Sequence, residues 1–246
     1  MIVGDDGEHR PDELADADLS GAVFRNVNLR GAKMVDVVLT NADLSGLIDG
    51  LRVNGVEVAP LVEAELRRLH PDREALLADD PAGLQRAWAT VEQLWAGTIQ
   101  RAQQLPEHKL HERVDGEWSL IETLRHLLFV TDAWISRVAL GEREPFHPWG
   151  LPPSFVVDAA SYGIDLAAAP TFDDIVAARN ERTNGVRALL DGITEADLDR
   201  RCVPPDVAGY PPVAEHRLRD CIWTVLDEEW WHNQFANRDL DALLPD

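Results

Sequence analysis

The sequence predicts a mainly α-helical fold, a four-helix bundle preceded by a short solenoid of five-residue repeats. Residues up to about 44 carry apolar side chains with a period of five. Residues from about 80 onward carry them at the three- and four-residue spacing of amphipathic helices. A proline-rich stretch, 141–171, fits one long crossover among otherwise short helix links, which suits a bundle. The 246 residues and 45% hydrophobic content are ample for one large domain or two smaller ones.

The period of five runs through Leu14, Leu19, Phe24, Leu29, Met34, Leu39 and Leu44. A small or β-branched residue (Ala17, Ala22, Val27, Ala32, Val37, Ala42) stands two positions before most of them. Neither a helix nor a flat strand has this period. A coil that turns a corner every five residues does, and it points both marked positions inward. Asn54-Gly55 between Val53 and Val56 then marks a two-residue hairpin able to cap the solenoid. Pro60 opens a short helix that ends near His70.

Four longer helices follow. The first, near 80–105, buries Leu84, Trp88, Val91, Trp95, Thr98 and Ile99. The second, near 119–140, opens on a Ser119/Glu122 capping box and buries Leu120, Leu124, Leu127, Thr131, Trp134 and Val138. The third spans about 172–193 and the fourth about 214–244. The expected domains are 1–58, repeats with their capping hairpin, and 59–246, the bundle.

Charge and composition narrow the function. A formal charge of −21 repels phosphate backbones and anionic lipid, which argues against nucleic acid or membrane as partners. Two cysteines, Cys202 and Cys221, give no disulfide framework and suit a reducing cytoplasm. The acidic start has no basic end and apolar run of a signal peptide, and no apolar stretch approaches the roughly 20 residues that span a bilayer.

The fourth helix raises the chemical question. Glu228 stands four residues before His232 in a tryptophan-rich segment, so the two side chains share a face. A buried carboxylate is expensive unless it is paired or bound to metal. The spacing suits a plain Glu–His ion pair, and it also suits two ligands of a divalent cation. A metal needs a third ligand from another helix, and His126, off the apolar stripe of the second helix, is the best placed. Cys221 shares the face, but seven residues is about 10.5 Å of rise, too far for bonds of about 2.0–2.3 Å.

GEWSLIETLRHLL together with EEWWHNQFANRDL resembles the DinB-like superfamily of metal-binding four-helix bundles, over roughly 61–246. ADLSGAVFRNVNLRGAKMVDVVLTNADLSG resembles a pentapeptide-repeat segment, which implies a short right-handed four-sided β-helix of under two coils. Many DinB-like proteins pair two histidines four apart in the last helix, but Ala236 stands four residues after His232. The glutamate at 228 agrees better with the mycothiol-dependent maleylpyruvate isomerase branch. That resemblance implies His126, Glu228 and His232 as metal ligands. It also implies a small-molecule thiol partner, mycothiol, and a tendency to form homodimers.

Three protein ligands leave a coordination position open, as in catalytic zinc sites. Zinc, nickel, iron and manganese all suit the donor set, zinc foremost. A thiol bound there loses its proton and becomes a nucleophile at neutral pH. The expected function is thus a thiol-dependent S-transferase or isomerase acting on a small electrophile. A non-catalytic ligand-binding protein and a hydrolase using bound hydroxide are the alternatives. Phe146, Trp149, Phe155 and Tyr162 of the 141–171 loop could wall an apolar pocket. Arg238, Arg179 or Arg182 could hold a substrate carboxylate, and surface ion pairing accounts for these arginines equally well.

Overall fold

The computed structural model describes residues 14–25 and 27–244. Most of the acidic start discussed above lies outside them. The chain forms two compact units that divide between Ser45 and Gly46.

In the first unit hydrogen-bonded turns recur every ten residues, and positive-φ corners fall at five-residue steps between and within them. The amides of Ala22, Ala32 and Ala42 donate to the carbonyls of Leu19, Leu29 and Leu39 at 2.9–3.0 Å. Gly21, Gly31 and Asn41 hold positive φ (73°, 75° and 62°) at the third position of these turns, as a type II turn requires. Asp16 and Asp36, five residues before Gly21 and Asn41, also have positive φ. Burial is corrected: Leu19, Phe24, Leu29, Met34 and Leu39, expected inside, are 48–62% exposed. Inner side chains of a solenoid are covered by the coils stacked above and below. A segment as short as this one supplies few neighbouring turns to cover them. None of the described residues of this unit lies in a strand.

The second unit opens with a hairpin, β1 (Arg52–Val53) against β2 (Val56–Glu57), in register Val53 to Val56. Asn54 and Gly55 both take positive φ, the conformation of a type I′ turn. Helix α1 (Ala59–Leu69) carries Pro60 in its first turn and has no buried residue. A 3-10 segment, Pro71–Leu77, leads to α2 (Pro81–Ala102). Asp80 caps α2 by accepting the Gly83 amide at 2.8 Å. Then come α3 (Leu120–Thr131), α4 (Phe172–Gly192) and α5 (Leu218–Leu243). Helix α2 packs on α4 and α5, and α3 packs on the same two, so the four close into a ring.

Helix α3 departs from the single stripe expected of it. Every residue except Glu122 is buried. The covering comes from the 141–171 loop, tied down by the buried Arg125, whose Nε donates to Trp149 O at 2.9 Å and whose Nη2 donates to Asp165 O at 3.0 Å. Behind it lies a second small core of Phe129, Ala133, Val156, Ala159 and Ile164. Beyond Thr131 the helix widens into π geometry over Asp132–Ala139, where an ordinary α-helix was expected. Helix α5 starts at Leu218 rather than near 214. His216–Arg217 is drawn into a two-residue strand, β4, against β3 (Arg201–Cys202). Cys202 and Cys221 are free and buried. Among the described residues no helix is long and apolar enough to cross a membrane.

Candidate metal centre

The contact between α3 and α5 brings His126, Glu228 and His232 together. One ligand atom from each lies within 4.8 Å of the others, and this is the metal-capable cluster among the described residues. Glu228 Oε2 is 3.5 Å from His126 Nε2 and 3.2 Å from His232 Nε2. Tetrahedral bonds near 2.0–2.1 Å put ligand atoms about 3.4 Å apart, so both Glu228 separations fit a shared small cation, and the two histidine nitrogens, within 4.8 Å of each other, would draw together around it.

The orientation of His126 is fixed from behind. Its Nδ1 lies 2.9 Å from Leu151 O. A carbonyl only accepts, so Nδ1 carries a proton, and Nε2 is the nitrogen that faces Glu228 and would ligate a cation. The loop carbonyl therefore fixes the ring orientation, and Leu151 N in turn donates to Arg125 O at 3.0 Å. Trp118, just before the α3 cap, lies over both imidazoles, with ring centroids 4.7 Å from His126 and 6.0 Å from His232. Phe129 and Phe235 flank the two histidines.

The electrostatics suit ligation. Burial works to raise the Glu228 carboxyl, but the two imidazoles overcome it and hold the group down to about 2. Burial lowers His232, against the opposing pull of Glu228, which favours the neutral ring a metal requires. Glu228 is less enclosed than expected, with a side chain 40% exposed. The deeply buried carboxylate of α5 is its neighbour Glu229, whose oxygens accept from Arg179 Nη2 at 2.6–2.7 Å.

The other expected site residues are dispersed. Arg179 is held by Glu229, Arg182 by the fully buried Asp132, and Arg238 by Glu117 and Asp239. Arg238 is nearest the cluster in chain, its guanidinium 5.5 Å from the Phe235 ring that touches His232, while Arg179 acts electrostatically on His232. Trp149 packs on the main core beside His147. Phe155 stands exposed against Tyr210. Phe146 and Tyr162 stack in the small core behind Phe129. Sequence reasoning missed Trp118, the Leu151 carbonyl and Glu229. Trp118 had a local signal, standing next to the Ser119 cap. The other two are set by tertiary contacts alone.

A ring of four helices whose second and fourth members converge on a His-Glu-His cluster defines a helical-bundle protein with a metal-capable centre. The chain belongs to the DinB superfamily, whose family model matches residues 90–236. Pentapeptide repeats match residues 13–46 in eight copies. Comparison with curated proteins and with solved structures gave no match.

Proposed function

We propose that the protein is a metal-dependent, thiol-using S-transferase or isomerase, with His126, Glu228 and His232 holding a divalent cation, zinc foremost. The observation that carries this is the preset donor geometry: three convergent ligand atoms, with the His126 ring orientation fixed by Leu151 O. A cation there would supply Lewis acidity at an open position, enough to lower the pKa of a thiol or of water. The carboxylate of Glu228 offsets one positive charge. Trp118, Phe129 and Phe235 limit water around the cluster. Both cysteines of the chain are buried and belong to β3 and α5, so the thiol is a diffusible one, mycothiol by the family resemblance, met in the cytoplasm. In this proposal the repeats coil as a short β-helix, which the regularly spaced turns at Leu19–Ala22, Leu29–Ala32 and Leu39–Ala42 support.

The test is consumption of mycothiol with a panel of epoxides and chlorobimane by the zinc-loaded protein. Turnover above that of His232→Ala supports the transferase reading. Turnover that needs no thiol points instead to a hydrolase, and stoichiometric binding without product points to a ligand-binding protein.

A further inference from the structure

Phe129 of α3 links the metal-capable cluster to a second ring. It stacks on His126, with centroids 6.4 Å apart, and on Tyr210, at 6.0 Å. Tyr210 lies on the segment between β3 and β4. The buried Arg137 of the π turn holds that segment, with Nη2 donating to Pro205 O at 3.1 Å and to Val207 O at 2.9 Å. Gly209 lets the chain pass directly over the guanidinium, since a Cβ there would lie 2.7 Å from its carbon. The residue that follows, Tyr210, is thereby set one ring away from the cluster.

The chain has two tyrosines. The hydroxyl of Tyr162 donates to the Asp158 carboxylate. The hydroxyl of Tyr210 makes no hydrogen bond among the described residues, and it is not one of the polar atoms sealed in the interior. Burial and then the charge of Glu228 push this phenol up from its ordinary value, which marks the hydroxyl and the cluster carboxylate as neighbours. Tyrosine keeps its proton at neutral pH even at its ordinary value of about 10. Phe155, 67% exposed, also packs on the Tyr210 ring, at 5.8 Å. Beside the cluster there is thus flat apolar surface for a ring and one open O–H for an oxygen.

We propose that Tyr210 is the proton donor of the transfer, and that the electrophile is a small aromatic molecule whose leaving atom is oxygen, an aryl epoxide being the simplest. This role rests on the transferase reading above. The thiolate sulfur bonds to an epoxide carbon, the carbon–oxygen bond breaks, and its electron pair stays on the oxygen. That oxygen takes the proton of Tyr210 Oη, and the phenolate regains one from water, which had received the proton of the thiol.

The test uses the zinc-loaded full chain, mycothiol and two aromatic electrophiles. The leaving oxygen of styrene oxide needs a proton, whereas the chloride of benzyl chloride does not. Tyr210→Phe keeps the ring and its stacking and removes only the hydroxyl. It should lower kcat for styrene oxide about a hundredfold more than for benzyl chloride, the scale of a lost proton donor. Phe155→Ala, at an exposed position, should raise KM for styrene oxide more than for 1,2-epoxybutane. Apart from turnover, the inert aryl ketone 4-fluoroacetophenone, followed by 19F NMR, should bind Tyr210→Phe about fivefold more weakly than the wild type. Equal slowing of both aromatic electrophiles by Tyr210→Phe, or an unchanged ketone affinity, would overturn the role of Tyr210 and leave the transferase reading standing. An equal change in the two KM values would overturn the aromatic class. A wild type that turns over neither aromatic electrophile would overturn the transferase reading and this role together.

Discussion

At the residue scale, buried charges dominate the behaviour of this bundle. Glu229 and Arg179 form a matched, deeply buried pair. Removing one partner of a buried pair strands the other, at about 3–5 kcal/mol. Arg179→Met should therefore destabilise strongly in urea unfolding, while Arg179→Met/Glu229→Leu should recover most of the loss. Asp132 is a different case. Burial, opposed by Arg182 and the His147 amide, pushes its carboxyl up to about 6. A carboxyl with a raised folded pKa binds its proton more tightly folded than unfolded. Its contribution is fully favourable below about pH 4 and is lost as pH rises toward 6. The stability difference between wild type and Asp132→Asn should thus shift against the wild type between pH 4 and pH 7, by up to about 3 kcal/mol. A flat difference across that range would mean that Asp132 stays ionised in the fold.

At the element scale, α3 positions the centre and α5 completes it. The capping box is present in both directions, with Ser119 N donating to Glu122 Oε2 at 2.9 Å and Glu122 N donating to Ser119 Oγ at 3.3 Å. Ser119→Ala should cost about 1 kcal/mol. It should also loosen the adjacent Trp118 over the histidines, which tryptophan fluorescence quenching can follow. Much of this level was legible in the sequence. The cap, the helix spacings and the i, i+4 placement of Glu228 and His232 are local properties that residues carry with them. The full burial of α3, the π turn after Thr131 and the shortened start of α5 were not. They arise from a loop folding back through Arg125 and from pairing of His216–Arg217 with Arg201–Cys202. The three arginines show the same limit. Their charge suggested substrate binding, and only the fold reveals the protein carboxylates already facing them.

At the scale of the whole molecule, an acidic chain with net charge −21 gathers two imidazoles and one carboxylate at the contact of its second and fourth bundle helices. If that cluster holds a cation, metal binding is folding energy, since the site is assembled only in the native state. A cation at a hundred times its dissociation constant adds about 2.7 kcal/mol. Glu228→Gln keeps the shape of the side chain and removes the charge that balances the ion. The most direct test is the melting temperature of wild type and Glu228→Gln, each purified without a histidine tag, with and without EDTA, alongside elemental analysis. A metal-holding cluster gives close to one zinc or similar ion per wild-type chain, a large fall in its melting temperature with EDTA, and a much smaller fall in the variant. Equal responses to EDTA in the two proteins, with no bound metal in either, would reduce Glu228 and His232 to an ordinary ion pair and rule out the metal centre.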